Sequence, residues 1–417
     1  MRVIDRWSLR KCRWIWIIGV LILFCTSLYG ETGSNSPYTR YGIGDLCEVN
    51  SIVSKSMGGV GYALQSAYYT NTLNPASYAV FDSLNFVFDI GAGFSLASYK
   101  ENGNTDKYWN GRLHHVLLRF PVSKKIAVSA GFIPYSTVGY NYNVSKGGGD
   151  KVLYSGSGGL SQLFAGVACR PSKNFCVGLN LVYLFGFVRN GRELNFSDTT
   201  SHNLYKVSDL DVKTFKMDIG VQYTIPFNRY NRLTLGLVFS PGWKENAEIT
   251  NYELNEKQKI DTTKSNDSRF DLPINWGIGI CYHWKGKYTL AGDVQLQQWS
   301  KAYYYNKTDT LKNRVRVALG FEYIPKVHDR SFAKNIRYRC GISYDNLYYN
   351  VNNKKVTDLG FSLGVGLPLR RNKTFVNVGL EYIMRRSEDN NLLKEDYFKL
   401  NLGISINERW FARRRFN

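Results

Sequence analysis

The chain has 417 residues, of which 15% are aromatic, and a formal net charge of +21. No basic motif falls on a recognition element, which argues against a nucleic-acid partner, and the basic excess favours anionic lipid headgroups or anionic solutes. Seven cysteines, an odd number without CxxC spacing, argue against a disulfide scaffold and a metal site, although Cys169 and Cys176 could pair across a turn.

Residues 1–30 predict a secretory signal peptide. Five bases precede the apolar run Trp14–Cys25, and small residues follow that run. Cleavage after Ser27 and cleavage after Gly30 both fit, whereas lipoprotein processing at Cys25 is disfavoured by the large residue before it. The run is shorter than the roughly 20 residues of a spanning helix, which also disfavours a membrane anchor. We therefore expect an exported protein.

Residues 31–83 lack the alternation of a β-strand. They are too many for a linker and too few for an independent domain, so we predict a plug, or hatch, within the structure that follows. Glycines permit close backbone approach, and Asn-Pro initiates a turn. The candidate hatch motif comprises Gly58, Gly59, Gly61, Asn74, Pro75 and Ala76.

From residue 84 to residue 407, apolar and polar side chains alternate in about fourteen segments. Phe398, Leu400 and Leu402, for example, alternate with Lys399 and Asn401. Alternate residues of a strand point to opposite faces, so one face is apolar and the other is small or polar. This pattern predicts an all-β fold, a closed antiparallel transmembrane β-barrel of about 14 strands with the hatch in its lumen, since lipid does not tolerate an open sheet edge. The predicted domains are the signal peptide (1–30), the hatch (31–83) and the barrel (84–417).

The predicted connections alternate between short turns and polar loops, two of which, 190–203 and 245–268, are long. Outer-membrane barrels place short turns in the periplasm and long loops outside the cell. We therefore expect the bacterial outer membrane as the location. Outer-membrane lipid and lipopolysaccharide are the expected surroundings, and the barrel-assembly machinery is an expected partner during biogenesis.

Charged residues within the strands must face the lumen, because a base facing mid-bilayer lipid costs roughly 2–4 kcal/mol. Their role is either structural, as ion pairs that fill a narrow interior, or functional, as the lining of a solute path. The lumen charges singled out are Asp293, Arg314, Arg316, Glu322 and Arg339.

A proline interrupts the predicted third strand, at residues 125–143. Proline has no N–H for a neighbouring strand, so Pro134 marks a local break in a closed wall. Gly131, Pro134 and Tyr135 are accordingly the candidate lateral gate. The alternative is that the strand ends near Ile133 and that Pro134 begins an extracellular loop.

A glycine-rich segment, Asn74-Pro75-Ala76 and fourteen strands together resemble the FadL family of outer-membrane channels for hydrophobic compounds. Tyr41–Asp45 and Trp410–Arg415 resemble members from the Bacteroidetes lineage. The resemblance implies a fourteen-stranded barrel, an N-terminal hatch and passive uptake of hydrophobic molecules, which leave sideways beside a kinked third strand. The dense lumen charge departs from the apolar ligand sites of that family.

Function is therefore expected to be passive, hatch-gated uptake of hydrophobic or amphipathic, fatty-acid-like small molecules. The alternative is a non-transporting barrel that docks with an outer-membrane protein-secretion or assembly system through the loop at 245–268. An enzyme is disfavoured, and no catalytic, metal or cofactor residues are assigned, because none of the five histidines lies in a recognisable motif. Adjacent His114 and His115 are expected to point to opposite faces of their strand.

Overall fold

The computed structural model describes residues 34–409 except 49, 83–84, 102, 146–148, 198–203, 256–259, 305–310, 327–332, 370–373 and 390–391. The predicted signal peptide and the closing residues 410–415 lie outside this part. One short α-helix, α1, spans Ile52–Lys55, and 3₁₀ turns span Pro37–Arg40, Pro75–Ala79, Trp299–Lys301 and Ala333–Asn335. Among the described residues, no helix has the length and apolar character needed to cross a membrane.

The remaining elements are β-strands that belong to one antiparallel sheet. In chain order they are β1 Asp45–Leu46, β2 Asn85–Glu101, β3 Asn104–Pro121, β4 Ile126–Pro134, β5 Ser136–Ser145, β6 Lys151–Cys169, β7 Phe175–Asn195, β8 Leu204–Pro226, β9 Arg232–Ser240, β10 Trp243–Asn255, β11 Ile260–Leu272, β12 Asn275–Trp284, β13 Tyr288–Gln297, β14 Arg314–Tyr323, β15 Arg337–Val351, β16 Lys354–Pro368, β17 Phe375–Ser387 and β18 Lys394–Arg409.

These segments form a closed barrel of fourteen wall strands, which confirms the predicted fold. Three wall strands are each interrupted once, giving the pairs β4/β5, β9/β10 and β11/β12, while β1 belongs to the N-terminal segment. The barrel closes where β18 pairs with β2, from Lys394 opposite Lys100 to Arg409 opposite Asn85.

The alternation of side chains places the two faces as predicted. On β17, Asn377, Glu381 and Arg385 are buried inside, whereas Leu380 and Tyr382 are exposed on the outside. The outer face carries large apolar side chains around the wall, including Leu181, Phe215, Ile278, Leu319 and Leu363. Exposing these side chains to water would cost free energy, whereas the hydrocarbon of a bilayer solvates them.

The prediction that residues 245–268 form a loop is wrong. These residues continue the wall as the hairpin of β10 and β11, with Ile249 opposite Ser265 and Leu254 opposite Ile260. Ala247 and Ile249 are buried in the core, whereas most of the other residues from 245 to 268 are polar, so little alternation is visible in the sequence. Such a strand keeps its ladder of backbone hydrogen bonds without alternation, so the sequence pattern does not reveal it.

Candidate functional site

The described residues from Ser34 to Asp82, here called the N-terminal segment, are largely buried and contact the inner face of the wall. Backbone N–H groups of Gly61 and Tyr62 donate to Oδ2 of Asp293 on β13 at 2.6 and 2.9 Å. On β7, the amide of Asn180 donates to the Tyr78 hydroxyl at 3.2 Å. The other bonds of this kind reach β2, β3, β5, β8, β14, β15, β16, β17 and β18.

Two glycines of the candidate hatch motif fit against the wall because they lack a side chain. Gly58 and Gly59 have φ angles of +71° and +84°, which favour glycine. The Gly58 N–H donates to Oγ of Ser362 at 2.8 Å. A Cβ on wall residue Gly341 would lie 2.2 Å from the Gly58 nitrogen, so both surfaces must be glycine for this contact.

The Asn-Pro-Ala part of the motif organises a second contact. The Asn74 side chain accepts a hydrogen bond from the Ala76 N–H at 3.0 Å and donates to the Tyr62 carbonyl at 2.7 Å. Pro75 begins the 3₁₀ turn, and its backbone approaches Gly178 of β7 closely. The Asn-Pro-Ala turn therefore connects two parts of the N-terminal segment to each other and to the wall.

Two ion pairs link the N-terminal segment to the wall. Arg385 of β17 donates to Asp45 at 2.9 Å, and Arg316 of β14 donates to Glu48 at 2.7 Å. Burial by itself would raise the pKa of Glu48, but the Arg316 guanidinium, helped by Lys55, lowers it to about 2. Glu48 is therefore an anion at every physiological pH.

The structure places all five singled-out lumen charges on the buried face of the barrel. Arg314 donates from Nε to Oδ1 of Asp345 at 2.9 Å, and Arg339 donates from Nε to Oε2 of Glu322 at 2.7 Å. Asp293 and Arg316 hold the N-terminal segment. These five residues occupy several separate contacts around the wall and do not converge on one ligand position.

The third wall strand separates from its neighbour at the candidate lateral gate. β3 pairs with β4 only from Val116 to Pro121, and β5 then pairs with β6 and with β1. Among the described residues, positions 104–115 of β3 have no strand partner on this side. We call the space between these positions and β5 the wall gap.

Each gate candidate has a distinct position at the wall gap. Because the Tyr135 N–H donates to Leu160 of β6 at 2.7 Å, the Pro134 nitrogen faces the opposite side, towards β3. Gly131 lies against Leu117 and the backbone of Val116. The chain continues past Pro134 as a strand, so the alternative in which Pro134 begins an extracellular loop is wrong.

The prediction that His114 and His115 face opposite sides is also wrong. A bulge pairs Gly91 with His115 and the next residue, Ala92, with Leu113, so both imidazoles are buried inside. They bond Asn401 at 2.7 Å and Asp89 at 3.2 Å. Within the described residues no group of His, Cys, Asp and Glu has the arrangement of a metal site, and the cysteines there, including Cys169 and Cys176, are free thiols.

An aromatic anchor was not anticipated from the sequence. Trp299, with 0% of its surface exposed, packs on the ring of Tyr348 at 4.8 Å between centroids. The Tyr348 hydroxyl accepts from the Ile43 N–H at 3.1 Å and donates to the Gly44 carbonyl at 2.5 Å. The only sequence signal is an excess of Tyr and Trp, which girdle residues at membrane interfaces would also produce.

A family model named BamG matches residues 11–417, which is nearly the whole chain. The chain belongs to the BamG family. No curated protein has significant sequence similarity to it.

Solved structures show which fold this BamG-family chain shares. The Pseudomonas putida toluene transporter TodX is 13% identical, with a TM-score of 0.62 over 88% of this chain and 100% of TodX. A FadL homologue from Pseudomonas aeruginosa is 12% identical, with a TM-score of 0.60 over 87% and 98%. The Ralstonia pickettii toluene transporter TbuX is 13% identical, with a TM-score of 0.60 over 87% and 99%. The chain thus shares the FadL-like barrel fold of these structures.

Proposed function

We propose that this protein is a non-conducting barrel that serves outer-membrane barrel assembly as a partner subunit. The observation that carries the proposal is the bonding of the N-terminal segment to the inner wall on nearly every side. The system in which it works is inferred from the family, because the BamG name suggests a link to barrel assembly.

A solute path would require the N-terminal segment to move. Movement would break the Glu48–Arg316 and Asp45–Arg385 pairs and the bonds from Gly61 and Tyr62 to Asp293. Hydrogen bonds to charged groups contribute about 1.5–3 kcal/mol each, so these four contacts hold the open population below about 1 in 10⁴. The segment then acts as a fixed plug.

The charged interior is also poorly suited to the transport of an apolar solute. Burying an acyl chain gains free energy only where it leaves water for apolar surface. Here Arg314, Arg339 and Glu322 keep the inner face polar even where they are paired. A fixed barrel uses the same ion pairs for rigidity.

Docking is assigned to the extracellular end of the hairpin of β10 and β11. The hairpin forms part of the wall at the end predicted to be extracellular, where β10 pairs with the first residues of β8. An extended, paired hairpin presents a fixed polar surface to a partner. The expected partners are the barrel-assembly machinery and the surrounding outer-membrane lipid and lipopolysaccharide.

A disulfide that locks the N-terminal segment tests the proposal. Leu46 lies directly opposite Ser136, at a spacing that permits a disulfide after Leu46→Cys and Ser136→Cys, made with Cys47→Ser to avoid mispairing. We expect the oxidised and reduced forms to restore outer-membrane barrel levels equally in depleted cells. The matched control carries Cys47→Ser alone. Loss of function only on oxidation would contradict a fixed plug.

The wall gap favours a second candidate, a passive hatch-gated channel for fatty-acid-like molecules with a lateral exit beside Pro134. In this case, Pro134→Val restores an N–H that faces β3 and should slow uptake into proteoliposomes while folding is unchanged. The oxidised lock should then block uptake completely. Uptake that neither change alters would exclude the lateral exit.

A further inference from the structure

A cavity of about 80 Å³ lies directly behind the wall gap. Its lining includes Asn110 and Arg112 from β3 and Thr137 from β5, which stand on either side of the gap. Lys55, at the end of α1, and Lys399 of β18 line it from within. A cavity needs only about 10–15 Å³ to hold one water, so a polyatomic ion has room here.

The acidic residues that line this cavity are paired with three arginines, one of which, Arg385, is shared between two of the acids. Each of them has a guanidinium partner from the wall within ion-pairing distance. The pairs are Asp45 with Arg385, Glu48 with Arg316, Asp345 with Arg314, and Asp358 with Arg385.

The side chains of the other three cations of the lining have no such partner among the described residues. Lys55 is 4% exposed, and neither its ammonium group nor that of Lys399 has a hydrogen bond or ion pair within the described part of the chain. The Arg112 guanidinium makes one polar contact there, a 3.7 Å approach of Nη1 to the Cys47 sulfur. Glu48 and Glu381 act on these ammonium groups only from beyond ion-pairing distance, while Arg112 and the two lysines repel one another, so an anion among the three cations would stabilise the site.

We propose that Lys55, Arg112 and Lys399 form a binding site for a phosphate group that enters through the wall gap. Arginine can hold two phosphate oxygens at once, and the two ammonium groups can donate to the others. The site lies beside the gap, at the predicted extracellular side, where β1 pairs with the edge of β5. The phosphate therefore comes from an outer-leaflet lipid headgroup or from free phosphate.

Native mass spectrometry of the purified protein in a zwitterionic detergent tests the site. The probes are phosphatidic acid and the diacylglycerol with the same acyl chains, which differ only in the phosphate. We expect one phosphatidic acid to be retained and diacylglycerol not to be retained. Equilibrium dialysis with inorganic phosphate separates the two sources: weaker binding than phosphatidic acid assigns the headgroup, and equal binding assigns free phosphate.

Variants connect any binding to these side chains. Arg112→Gln and Lys399→Gln should each weaken phosphatidic acid binding at least about tenfold, and Arg112→Lys should retain part of it. The matched control is Lys107→Gln, an exposed base on the same strand as Arg112, which should bind as the wild type does. The heat-induced gel shift of each variant reports that the barrel is folded. Equal retention of diacylglycerol, or unchanged binding in both glutamine variants, would overturn the proposal.

Discussion

Arg316 of β14 donates from Nη2 to Oε1 of Glu48 at 2.7 Å, and it also donates to the Gly58 carbonyl at 3.1 Å. One wall guanidinium therefore holds two points of the N-terminal segment that are ten residues apart in sequence. Wall side chains of this kind bind both charged and backbone groups of the N-terminal segment. Single substitutions can therefore measure how strongly the wall holds the segment.

The seating of the N-terminal segment should depend on pH below the physiological range. The pKa of Glu48 lies at about 2 in the folded protein, below its ordinary value of 4.5, so its ion pair stabilises the fold fully above about pH 4.5. That stability is lost as the pH falls towards 2. Pepsin digestion should leave the segment protected at pH 4 and cleave it progressively towards pH 2.

Glu48→Gln provides the comparison, because it removes the titrating group. The variant should be cleaved faster than wild type at pH 4, and the difference should shrink towards pH 2. Glu101→Gln, at an exposed hairpin end, is the control and should follow the wild type. A wild-type digestion rate that does not change between pH 4 and 2 would contradict this role of Glu48.

A side chain at Gly341 should displace the N-terminal segment while the wall stays intact. In Gly341→Ala the new Cβ meets the backbone of Met57 and Gly58 at 2.2 Å, a contact that neither surface can relieve by rotating a side chain. We expect a cost of about 1–3 kcal/mol, typical of overpacking. The measurement is the apparent melting temperature together with protease access to the segment.

Gly111→Ala is the matched control for that substitution, because its Cβ would meet Phe94 at an ordinary 3.6 Å. It should melt and digest as the wild type does. If Gly341→Ala behaves in the same way as Gly111→Ala, the close approach at Gly58 has no energetic importance.

Truncation of the buried Trp299 should destabilise the region that holds Ile43 and Gly44. Trp299→Ala removes the ring that packs on Tyr348 and leaves a cavity, for which about 3–5 kcal/mol is the usual cost. Thermal unfolding followed by circular dichroism in detergent measures it. Trp109→Ala is the control and should change the melting temperature little, because the Trp109 ring is 74% exposed. Equal effects of the two substitutions would show that Trp299 does not anchor this region.

The hairpin of β10 and β11 should carry the partner contact. Replacing residues 250–264 by a short Gly-Ser turn removes the pairs of β10 with Leu204–Asp209 of β8. It keeps the lower pairs, such as Trp243 with Leu272, and should leave the barrel folded. A photoreactive residue in place of Glu253 should crosslink to a partner in intact cells. The same residue in place of Lys107, on the hairpin of β2 and β3, should not, and equal crosslinking at both positions would argue against a specific contact.

The sequence predicted the barrel because lipid imposes a strict rule on every second side chain. Leu402 and Ile404 on the outside, with Arg339 and Asp293 inside, follow from that rule alone. The break at Pro134 was also predictable, because a missing N–H interrupts a ladder wherever it faces a neighbour. Two further breaks, at 241–242 and 273–274, also contain a proline, but they were not predicted from the sequence.

Contacts between distant parts of the chain could not be predicted from the sequence. Which arginine pairs with Glu48, and why Trp299 is buried, depend on strand register and on the path of the N-terminal segment. The bulge that turns His114 inward shifts one residue in a strand that otherwise alternates, and alternation by itself cannot locate it. The cavity behind the wall gap combines residues from α1, β3 and β18, which are far apart in sequence.

The positions of the wall gap and of the closing seam also bear on how the barrel comes apart. The β18–β2 seam, where the two ends of the sheet join, is paired along its full length. In the part of the chain that the structure describes, β3 has a strand partner on only one side from residue 104 to residue 115. Under heat or mechanical load, the first rupture should therefore begin beside the wall gap, in the short ladder that joins β3 to β4 from Val116 to Pro121. In amide hydrogen exchange, that corner should take up deuterium earlier than the seam does.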